Sequence, residues 1–482
     1  MANVFLRLLS TDQLQSVHEA ALAILERTGM QIDHADARDI LAGAGAKVDV
    51  QTNRVRFPPQ LVEEKLRLVP RTFTYHGRTP EFDFDLTVDG PIYSRVAGGA
   101  TGYLDFATGG HRRARIDDWK EFAILADALP NIHSIATLHC GDVPAATADI
   151  YSLRTLLENQ RNCILHNAFS LENQRYLIEM MLAVRGTREE LERRPLVHHQ
   201  LSPISPLQMQ EDDTAQLLLA CEYGIPTDIP IMPIAGATAP ITLAGTVAQG
   251  LAEFLGTMTL AQCARPGHRM PFFIDPVVAD MRTGSALVGA PETAMIAAAI
   301  QQLGTELYGL PAQGIGLTSD GYDYGQALFQ RGQMAVFQVM SGGKLIIGAG
   351  VVDSLMSIDP AQLVIDDEIM VVARRWARGM MVDRETLAVD AIDRVGPRGQ
   401  FLDDEHTLDF LRTGELIDSE LFERESREIW ASKGSKKLEE KAREKARAIL
   451  ATHEVPPLSD DILREMAAIV ARADATVAGA RA

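Results

Sequence analysis

Seven short apolar runs recur along the middle of the chain, and a stretch of helix length follows each of them. Their starts lie about 28 to 42 residues apart, and the runs end in small or polar residues. The runs are residues 135–140, 163–167, 196–202, 229–234, 270–275, 312–316 and 344–350. Strands that are buried on both faces are apolar throughout, so this spacing predicts the strands of a parallel β/α barrel.

Helical patterns separate the runs. They lie at residues 146–159, 214–223, 243–263, 291–308 and 326–340. An eighth strand is predicted within residues 91–106, where the short runs 92–96 and 102–106 flank a glycine-rich segment. We therefore predict an α/β protein with a TIM-type (β/α)8 barrel over residues 91–365. In such a barrel the reacting groups lie where the strands end and the following loops begin.

The segments on either side of the barrel have other patterns. Residues 1–90 combine a helix that Ser10 opens and Gly29 closes with a second helix and an alternating hairpin, which predicts an α+β cap. Residues 366–482 begin with an amphipathic helix and contain a charged helix over 438–451, which predicts a helical C-terminal extension. Charge runs of this kind are usually solvated faces, and partner docking by the tail is the second interpretation.

Charge and composition argue against several classes of protein. The 482 residues include 46 Lys plus Arg and 65 Asp plus Glu, for a net charge of −19. Such a surface repels a phosphate backbone, so we do not expect a nucleic acid partner. The sequence contains no secretory signal pattern and no apolar stretch long enough to cross a membrane, which favours a cytoplasmic protein. The four cysteines are scattered without a CxxC pair and are interpreted as reduced core residues.

Polar residues at the ends of two neighbouring runs raise the question of a metal site. His139 and Cys140 end one run, and His166 ends the next. Imidazole and thiolate are usual zinc ligands, but adjacent residues of a strand point to opposite faces, so we predict no metal site. The glycine-rich segment 96–102 fits neither the dinucleotide fingerprint nor the P-loop pattern and is interpreted as a tight turn.

The loop after the predicted sixth strand carries a pair of opposite charges. Asp280 and Arg282 lie in this loop, where they can line the barrel mouth. Glu292 opens the next helix behind a proline. An acidic residue in a first turn is more often a partner of the helix dipole than a ligand-binding group, so the structural interpretation of Glu292 is favoured.

The loop over residues 316–324 is the richest polar segment of the predicted barrel. Two carboxylates and two tyrosines, Tyr322 and Tyr324, lie within five residues of one another. One interpretation is a helix start that Ser319 or Asp320 caps, with the tyrosines covering the mouth. The other is a site for an organic cation, because aromatic faces attract quaternary ammonium groups by about 0.5 to 2 kcal/mol. Position alone does not decide between them.

Several ordered segments resemble the trimethylamine methyltransferase family. They are residues 9–29, 45–49, 233–245, 279–284 and 289–292, with His406-Thr407 and Trp430 near the C-terminus. Together they span nearly the whole chain. The resemblance implies a barrel enzyme that moves a methyl group from a methylated amine to cob(I)alamin on a separate corrinoid protein. It therefore implies no tightly bound cofactor in this chain and no metal of its own.

One difference from the founding members bears on the substrate. They carry pyrrolysine in a barrel loop, where it engages the substrate amine, whereas the loop over residues 317–324 holds only ordinary residues. Family members without pyrrolysine resemble demethylases of quaternary amines such as glycine betaine, carnitine or proline betaine. A quaternary nitrogen leaves as a neutral tertiary amine, so the enzyme must chiefly orient one methyl group toward the cobalt.

We therefore predict a cage for a quaternary amine at the barrel mouth. Aromatic faces with one carboxylate suit a cation whose charge is lost in the transition state better than several acids do. In this prediction the aromatic rings surround the ammonium, and the histidines and the arginine meet a substrate carboxylate. The predicted substrate-binding residues are Tyr103, Phe273, Tyr322, Tyr324, His139, His166, Arg282 and Glu292, and the predicted catalytic carboxylates are Asp320 and Asp280.

Two other functions remain open at this point. One is a zinc-assisted methyltransferase that uses His139 or Cys140. The other is a betaine-binding barrel that has lost transfer activity. The sequence contains no decisive interface signal, so self-association into a homo-oligomer is also left open.

Overall fold

Eight parallel strands form the barrel in the computed structural model, which describes residues 6–105 and 108–478. The strands are β1 Tyr93–Arg95, β2 Ser134–Ala136, β3 Cys163–His166, β4 Val197–Gln200, β5 Thr227–Asp228, β6 Phe272–Phe273, β7 Ala312–Ile315 and β8 Leu345–Ile347. Neighbouring strands pair from β1 to β5 and from β6 to β8, and β8 pairs with β1. A bridge between Ile231 and Ile274 joins the chain just after β5 and β6. The predicted (β/α)8 barrel is confirmed.

A helix follows each barrel strand and covers its outer face. The helices are α1 Ile116–Ala128, α2 Ala148–Asn159, α3 Leu171–Arg185, α4 Glu211–Tyr223, α5 Leu243–Ala264, α6 Pro291–Gln302, α7 Tyr324–Met340 and α8 Pro360–Arg378. A π-helical turn, Leu303–Tyr308, extends α6, and the short helix Arg188–Arg193 precedes β4. The predicted boundary at residue 365 falls inside α8, whose first half is buried.

The strand predicted at residues 229–234 is not where the fifth barrel strand lies. The ladder with β4 uses Thr227 and Asp228, and Ile234–Ala235 instead belongs to a small sheet with Val277–Ala279 and Ala286–Leu287. Pro230 and Pro233 interrupt the apolar run. Because proline donates no ladder hydrogen bond, the chain leaves the barrel at that point.

The glycine-rich segment separates two strands that belong to different sheets. The predicted run 92–96 contains β1, whereas Gly102–Leu104 pairs with His111–Arg113 and Ser357–Ile358, to which Val351–Val352 is added. Residue 106 of the predicted second run lies outside the described residues. This four-stranded sheet stands beside the mouth, where the loops after β1 and β8 meet.

The N-terminal cap combines the predicted helices and hairpin. Its elements are Thr11–Arg27, Met30–Ile32, Ala35–Gly43, Lys47–Asp49, Arg54–Arg56, Pro59–Leu66, Phe73–Tyr75, Pro80–Phe82 and Phe84–Leu86. Ser10 and Gln13 form a capping box at the first helix, as its sequence predicts. Gly29 adopts φ 72°, and a Cβ there would overlap the carbonyl oxygen of Val55, so the helix must end in glycine.

The C-terminal extension is helical, as predicted. Its helices are Val389–Val395, Glu405–Arg412, Arg427–Ser432, Leu438–Thr452 and Asp460–Ala473, followed by a π-helical turn over Asp474–Ala478. The helix from Leu438 packs against α8 and α1, and the helix from Asp460 packs against α3. No helix in the described part of the chain has the length and apolar character that a membrane span requires.

Candidate active site

A polar network occupies the interior of the barrel. Asp228 on β5 accepts hydrogen bonds from Arg95 on β1 at 2.7 Å and from Gln313 on β7 at 2.9 Å. Its second oxygen lies 3.0 Å from Nδ1 of His198 on β4. Tyr75 of the N-terminal cap stacks on the His198 ring and reaches Asp228 at 3.4 Å. The network thus connects four strands and the cap.

The network holds one ionised carboxylate in the protein interior. Burial disfavours the charged form of Asp228, but the hydrogen bond from His198 and the guanidinium of Arg95 outweigh it and lower its pKa to about 2. Burial lowers the pKa of His198, so its ring is neutral at pH 7 and donates from Nδ1. Three polar atoms of the network, Arg95 Nε, His198 Nε2 and Gln313 Oε1, have no hydrogen-bond partner among the described residues.

The mouth of the barrel contains an aromatic pair on the loops after β2 and β3. The ring of His139 lies 4.8 Å from the ring of Phe169, which is 38% exposed. Burial lowers the pKa of His139 and keeps the imidazole neutral. Thr137 and Asn167 form a hydrogen bond of 3.2 Å beside this pair, and the Gln200 side chain ends β4 partly exposed. These groups offer an aromatic surface with amides next to it.

The loop over residues 316–324 opens α7, as one of its two interpretations predicts, but with a different cap residue, and the cation site stays a prediction. Asp323, rather than Ser319 or Asp320, caps α7. Asp320 accepts hydrogen bonds from the backbone amides of Val288 and Gly289 and from Gln330. Its carboxylate therefore ties this loop to the loop after β6.

The two tyrosines of that loop are held by carboxylates. The Tyr322 hydroxyl donates to Asp353 at 2.6 Å, and its ring is 43% exposed at 5.8 Å from the His111 ring. The Tyr324 hydroxyl donates to Asp359 at 2.6 Å. Tyr322 therefore presents an accessible, oriented ring at the mouth.

The other two predicted cage rings are buried. Arg112 lies over the Tyr103 ring at 4.6 Å in the small sheet beside the mouth. Phe273 lies inside the barrel, with the guanidinium of Arg95 5.2 Å from its centroid. The four rings of the predicted cage thus have different neighbours, and their joint action on a ligand stays a prediction.

The four other residues taken up here, Asp280, Arg282, Glu292 and His166, lie in three separate places. Asp280 accepts from the backbone amide of Arg282 at 2.8 Å in the turn of the hairpin that follows β6. Glu292 is exposed in the first turn of α6. The His166 ring turns outward from β3, since its Nε2 lies 2.8 Å from the carbonyl oxygen of Asp149 on α2. Burial lowers its pKa to about 3, so this imidazole is neutral.

An apolar rim surrounds the mouth. Exposed large apolar side chains project from the loops after six successive strands, β3 to β8. They are Phe169, Ile204, Met232, Ile241, Met281, Tyr322 and Met356. Within residues 6–105 and 108–478, no group of three His, Cys, Asp or Glu side chains could hold a metal ion.

The family model described as trimethylamine methyltransferase (MTTB) matches residues 2–478. The chain belongs to this family. The trimethylamine methyltransferase MttB of Methanosarcina barkeri (strain Fusaro / DSM 804) is 31% identical over 99% of this chain and 97% of its own length. The glycine betaine methyltransferase of Desulfitobacterium hafniense (strain Y51) is 29% identical over 96% of each chain. The predicted family and a methyltransferase activity are therefore confirmed.

A solved structure supports the barrel fold of this methyltransferase. The crystal structure of the Methanosarcina barkeri monomethylamine methyltransferase (MtmB) aligns with a TM-score of 0.56 and 13% identity. The alignment covers 94% of this chain and 90% of that structure. At this identity the likeness shows the fold alone.

Sequence reasoning missed both the interior network and Phe169. Arg95, His198, Asp228 and Gln313 all stand in short buried strands, where a charged or amide side chain is unusual unless it is paired. Polar residues inside the apolar runs, or directly beside one as Asp228 is, were the available signal. Phe169 has no comparable signal, because only the neighbouring loop brings His139 against it.

Proposed function

We propose that this methyltransferase demethylates a quaternary amine of the glycine betaine type and passes the methyl group to cob(I)alamin on a separate corrinoid protein. The main support is the end-to-end similarity to a glycine betaine methyltransferase in a chain whose sequence contains no pyrrolysine. A tertiary amine is a poor methyl donor until it is activated. A quaternary ammonium already carries the positive charge that makes its methyl group electrophilic.

In this proposal the chain binds and orients the substrate. The corrinoid of the partner protein supplies a reduced cobalt nucleophile. The C–N bond breaks with its electron pair passing to nitrogen, so the positive charge of the ammonium disappears as the methyl group leaves. Rings that attract the cation weakly suit this change, because tight binding of the charged ground state would slow transfer.

The accessible aromatic groups at the mouth are assigned to the ammonium. Tyr322 presents its ring from one side, and its hydrogen bond to Asp353 fixes the ring orientation. Phe169 and His139 form the opposite wall in this proposal. The amides of Asn167 and Gln200 are assigned to the substrate carboxylate. Asp320 keeps a supporting role, because its oxygens are engaged by Val288, Gly289 and Gln330.

The members of the apolar rim other than Phe169 and Tyr322 are assigned to the corrinoid protein. A partner that delivers cobalt must approach the carboxyl ends of the strands, and the exposed apolar side chains of the rim surround that approach. A reaction that needs strongly reduced cobalt also fits the cytoplasmic location that the sequence predicts.

A direct assay tests the activity. Protein, cob(I)alamin and either glycine betaine or trimethylamine are mixed without oxygen, and the loss of cob(I)alamin absorbance and the demethylated amine are measured. Transfer from glycine betaine but not from trimethylamine supports the proposal. Transfer from trimethylamine alone contradicts the assigned substrate class, and calorimetric betaine binding without transfer would favour the binding-only barrel. Activity that a chelator removes and zinc restores would favour the zinc-assisted alternative.

Replacing Tyr322 tests the assigned cage. Tyr322→Ala removes the ring and is expected to weaken binding of glycine betaine by roughly 2- to 30-fold, which corresponds to about 0.5 to 2 kcal/mol. Tyr322→Phe keeps the ring but loses the hydrogen bond to Asp353, so it is expected to bind nearly as well. Calorimetry measures both affinities. Equal losses in the two variants would assign Tyr322 to loop structure instead of the cage.

A further inference from the structure

One edge of a buried arginine inside the barrel has no partner. Arg95 on β1 is 1% exposed, and its Nη1 donates to Asp228 at 2.7 Å. No other nitrogen of this guanidinium forms a hydrogen bond within the described residues, and Nε is buried. Nε and Nη2 lie on the same side of the planar group, where their N–H groups can bind both oxygens of a carboxylate. The structure therefore leaves a carboxylate-binding edge free inside the barrel.

Strand register places this edge at the mouth end of the barrel. Arg95 and Ile315 both pair in register with Ile347, so the three residues form one row across β1, β8 and β7. Each of them is the last residue of its strand. Ile315 is 8% exposed, so the row borders accessible space. The row therefore lies at the carboxyl ends of the strands, where a barrel enzyme holds its reacting groups.

A second polar group without a partner reaches the same row from β6. Asp275 is two residues beyond Phe273, whose ring contacts Arg95 inside the barrel, so its side chain leaves the strand on the inner face. Oδ1 accepts the backbone amide of Ile315, whereas Oδ2 has no partner within the described ranges. Burial raises the pKa of Asp275 to about 7, so below that pH the carboxyl is neutral and Oδ2 can donate. The row thus offers a cationic edge and a neutral donor.

The charges in this part of the interior balance one another. Asp228 compensates Arg95. The two other side chains bound to Asp228, His198 and Gln313, are neutral at pH 7. A ligand with one net charge would leave that charge uncompensated in a buried site, which is costly, whereas a zwitterion brings its own counter-charge. The charge balance therefore favours a ligand that carries both an ammonium and a carboxylate group.

We propose that the free edge of Arg95 binds the carboxylate of the substrate and makes this methyltransferase selective for quaternary amines that carry one. The inference rests on the proposed function, in which only the neutral amides of Asn167 and Gln200 meet that carboxylate. Gln200 pairs in register with Asp228, so it lies beside the Arg95–Asp228 pair and can share the same carboxylate. Asp275 donates to it from Oδ2. With the carboxylate held inside the barrel, the ammonium points to the mouth, from which the cobalt approaches.

Two ligands that differ in the carboxylate test the role of Arg95. Glycine betaine and tetramethylammonium both carry a quaternary nitrogen, but only the first has a carboxylate. Calorimetry measures both affinities for the wild type, Arg95→Lys and Arg154→Lys. Lysine keeps the charge beside Asp228 but lacks the planar edge, so Arg95→Lys is expected to weaken glycine betaine binding roughly 10- to 100-fold and tetramethylammonium binding less than about 2-fold. Arg154 is partly exposed on α2, and its variant, the control for the same change away from the site, should behave as wild type.

The pH dependence of binding tests the second donor. Between about pH 6 and pH 8 neither group of glycine betaine titrates, and Arg95 and Asp228 keep their charges. Gln301 and Gln338, which lie near Asp275 behind β7, carry no charge. We expect the affinity of the wild type for glycine betaine to fall about 10-fold over this range as Asp275 loses its proton. Asp275→Asn keeps the backbone acceptor and supplies an N–H in place of the Oδ2 proton, so its affinity should not change with pH.

Equal losses of both ligands in Arg95→Lys, or no loss of glycine betaine, would overturn the role of Arg95. A wild type that binds the two ligands equally tightly would do so without any variant, even if Arg95→Lys does not fold. A wild-type affinity that is independent of pH would overturn the role of Asp275. Methyl transfer to free cob(I)alamin is measured in parallel. Transfer from glycine betaine without a preference for it over tetramethylammonium refutes this inference alone, whereas binding of glycine betaine without transfer refutes the proposed activity.

Discussion

Asp275 follows β6 at the mouth end of the barrel. Its carboxylate accepts a backbone hydrogen bond from β7 in place of a carbonyl oxygen. Oδ1 accepts the backbone amide of Ile315 on β7 at 2.9 Å. Oδ2 has no hydrogen-bond partner within the described ranges. Burial raises the pKa of Asp275 to about 7, and the nearby Arg95 offsets only part of that rise. Between about pH 4 and pH 7, Asp275 is therefore mostly protonated in the folded protein and mostly ionised in the unfolded chain.

This raised pKa predicts a pH-dependent stability. The folded state binds the Asp275 proton more tightly than the unfolded state, so its contribution is present below about pH 4 and is lost as pH rises to about 7. The loss is roughly 4 kcal/mol. Asp275→Asn keeps the acceptor for Ile315 and removes the titration. Urea denaturation at several pH values should show a smaller decrease of unfolding free energy with pH in the variant, and parallel curves would contradict the assignment.

At the scale of elements, one buried ion pair connects α7 and α8 to the loops after β7 and β8. Arg331 on α7 binds Asp366 on α8 at 2.7 Å and donates to the carbonyl oxygens of Leu317 and Val351. Asp366 also accepts the backbone amide of Gly350. Both side chains are fully buried. The pair therefore holds the loops after β7 and β8 in place at the mouth.

Breaking this pair should cost far more stability than breaking an exposed one. Arg331→Met leaves the Asp366 carboxylate buried without its partner and is expected to lower the unfolding free energy by about 3 to 5 kcal/mol. Arg154→Met, which removes the partly exposed ion pair with Glu158, is the control and should cost less than about 1 kcal/mol. Urea denaturation compares the two. Similar losses in the two variants would contradict the larger stabilising effect expected of the Arg331–Asp366 pair.

Most elements were predictable because their signals are local. The capping box at Ser10, the helix start at Pro291 and the apolar β3 and β7 all follow from a few adjacent residues. The exception among the barrel strands is β5. It is only two residues long and carries Asp228, while the apolar run beside it is broken by prolines. Its position depends on pairing with β4, which no local pattern contains.

At the scale of the whole molecule, the apolar rim gathers side chains from loops that are far apart in the sequence around one end of the barrel. Met281 on the rim is 65% exposed and sits beside Gly236 of the neighbouring loop. In the proposed function, this position at the mouth suits contact with the corrinoid protein and not with the amine.

Met281→Asp should separate partner docking from the chemistry. A charge on the rim is expected to slow methyl transfer to the corrinoid protein by about 10-fold or more at low partner concentration. Transfer to free cob(I)alamin should keep its rate, and Val50→Asp, a control at an exposed site in the N-terminal cap, should behave as wild type in both assays. An equal loss with free cob(I)alamin would place Met281 in substrate binding and contradict a docking role.

The periodicity of apolar residues determined the β/α barrel, the cap and the helical extension, because secondary structure follows from neighbours within a few positions. The family followed from segments spread along the chain. Only the tertiary structure decided which polar side chains meet: Arg95 and Asp228 are 133 residues apart, and barrel closure alone brings them to 2.7 Å. It also turned His166 away from the lumen and set Phe169 against His139. Such contacts depend on strand order and register, which short sequence patterns do not encode.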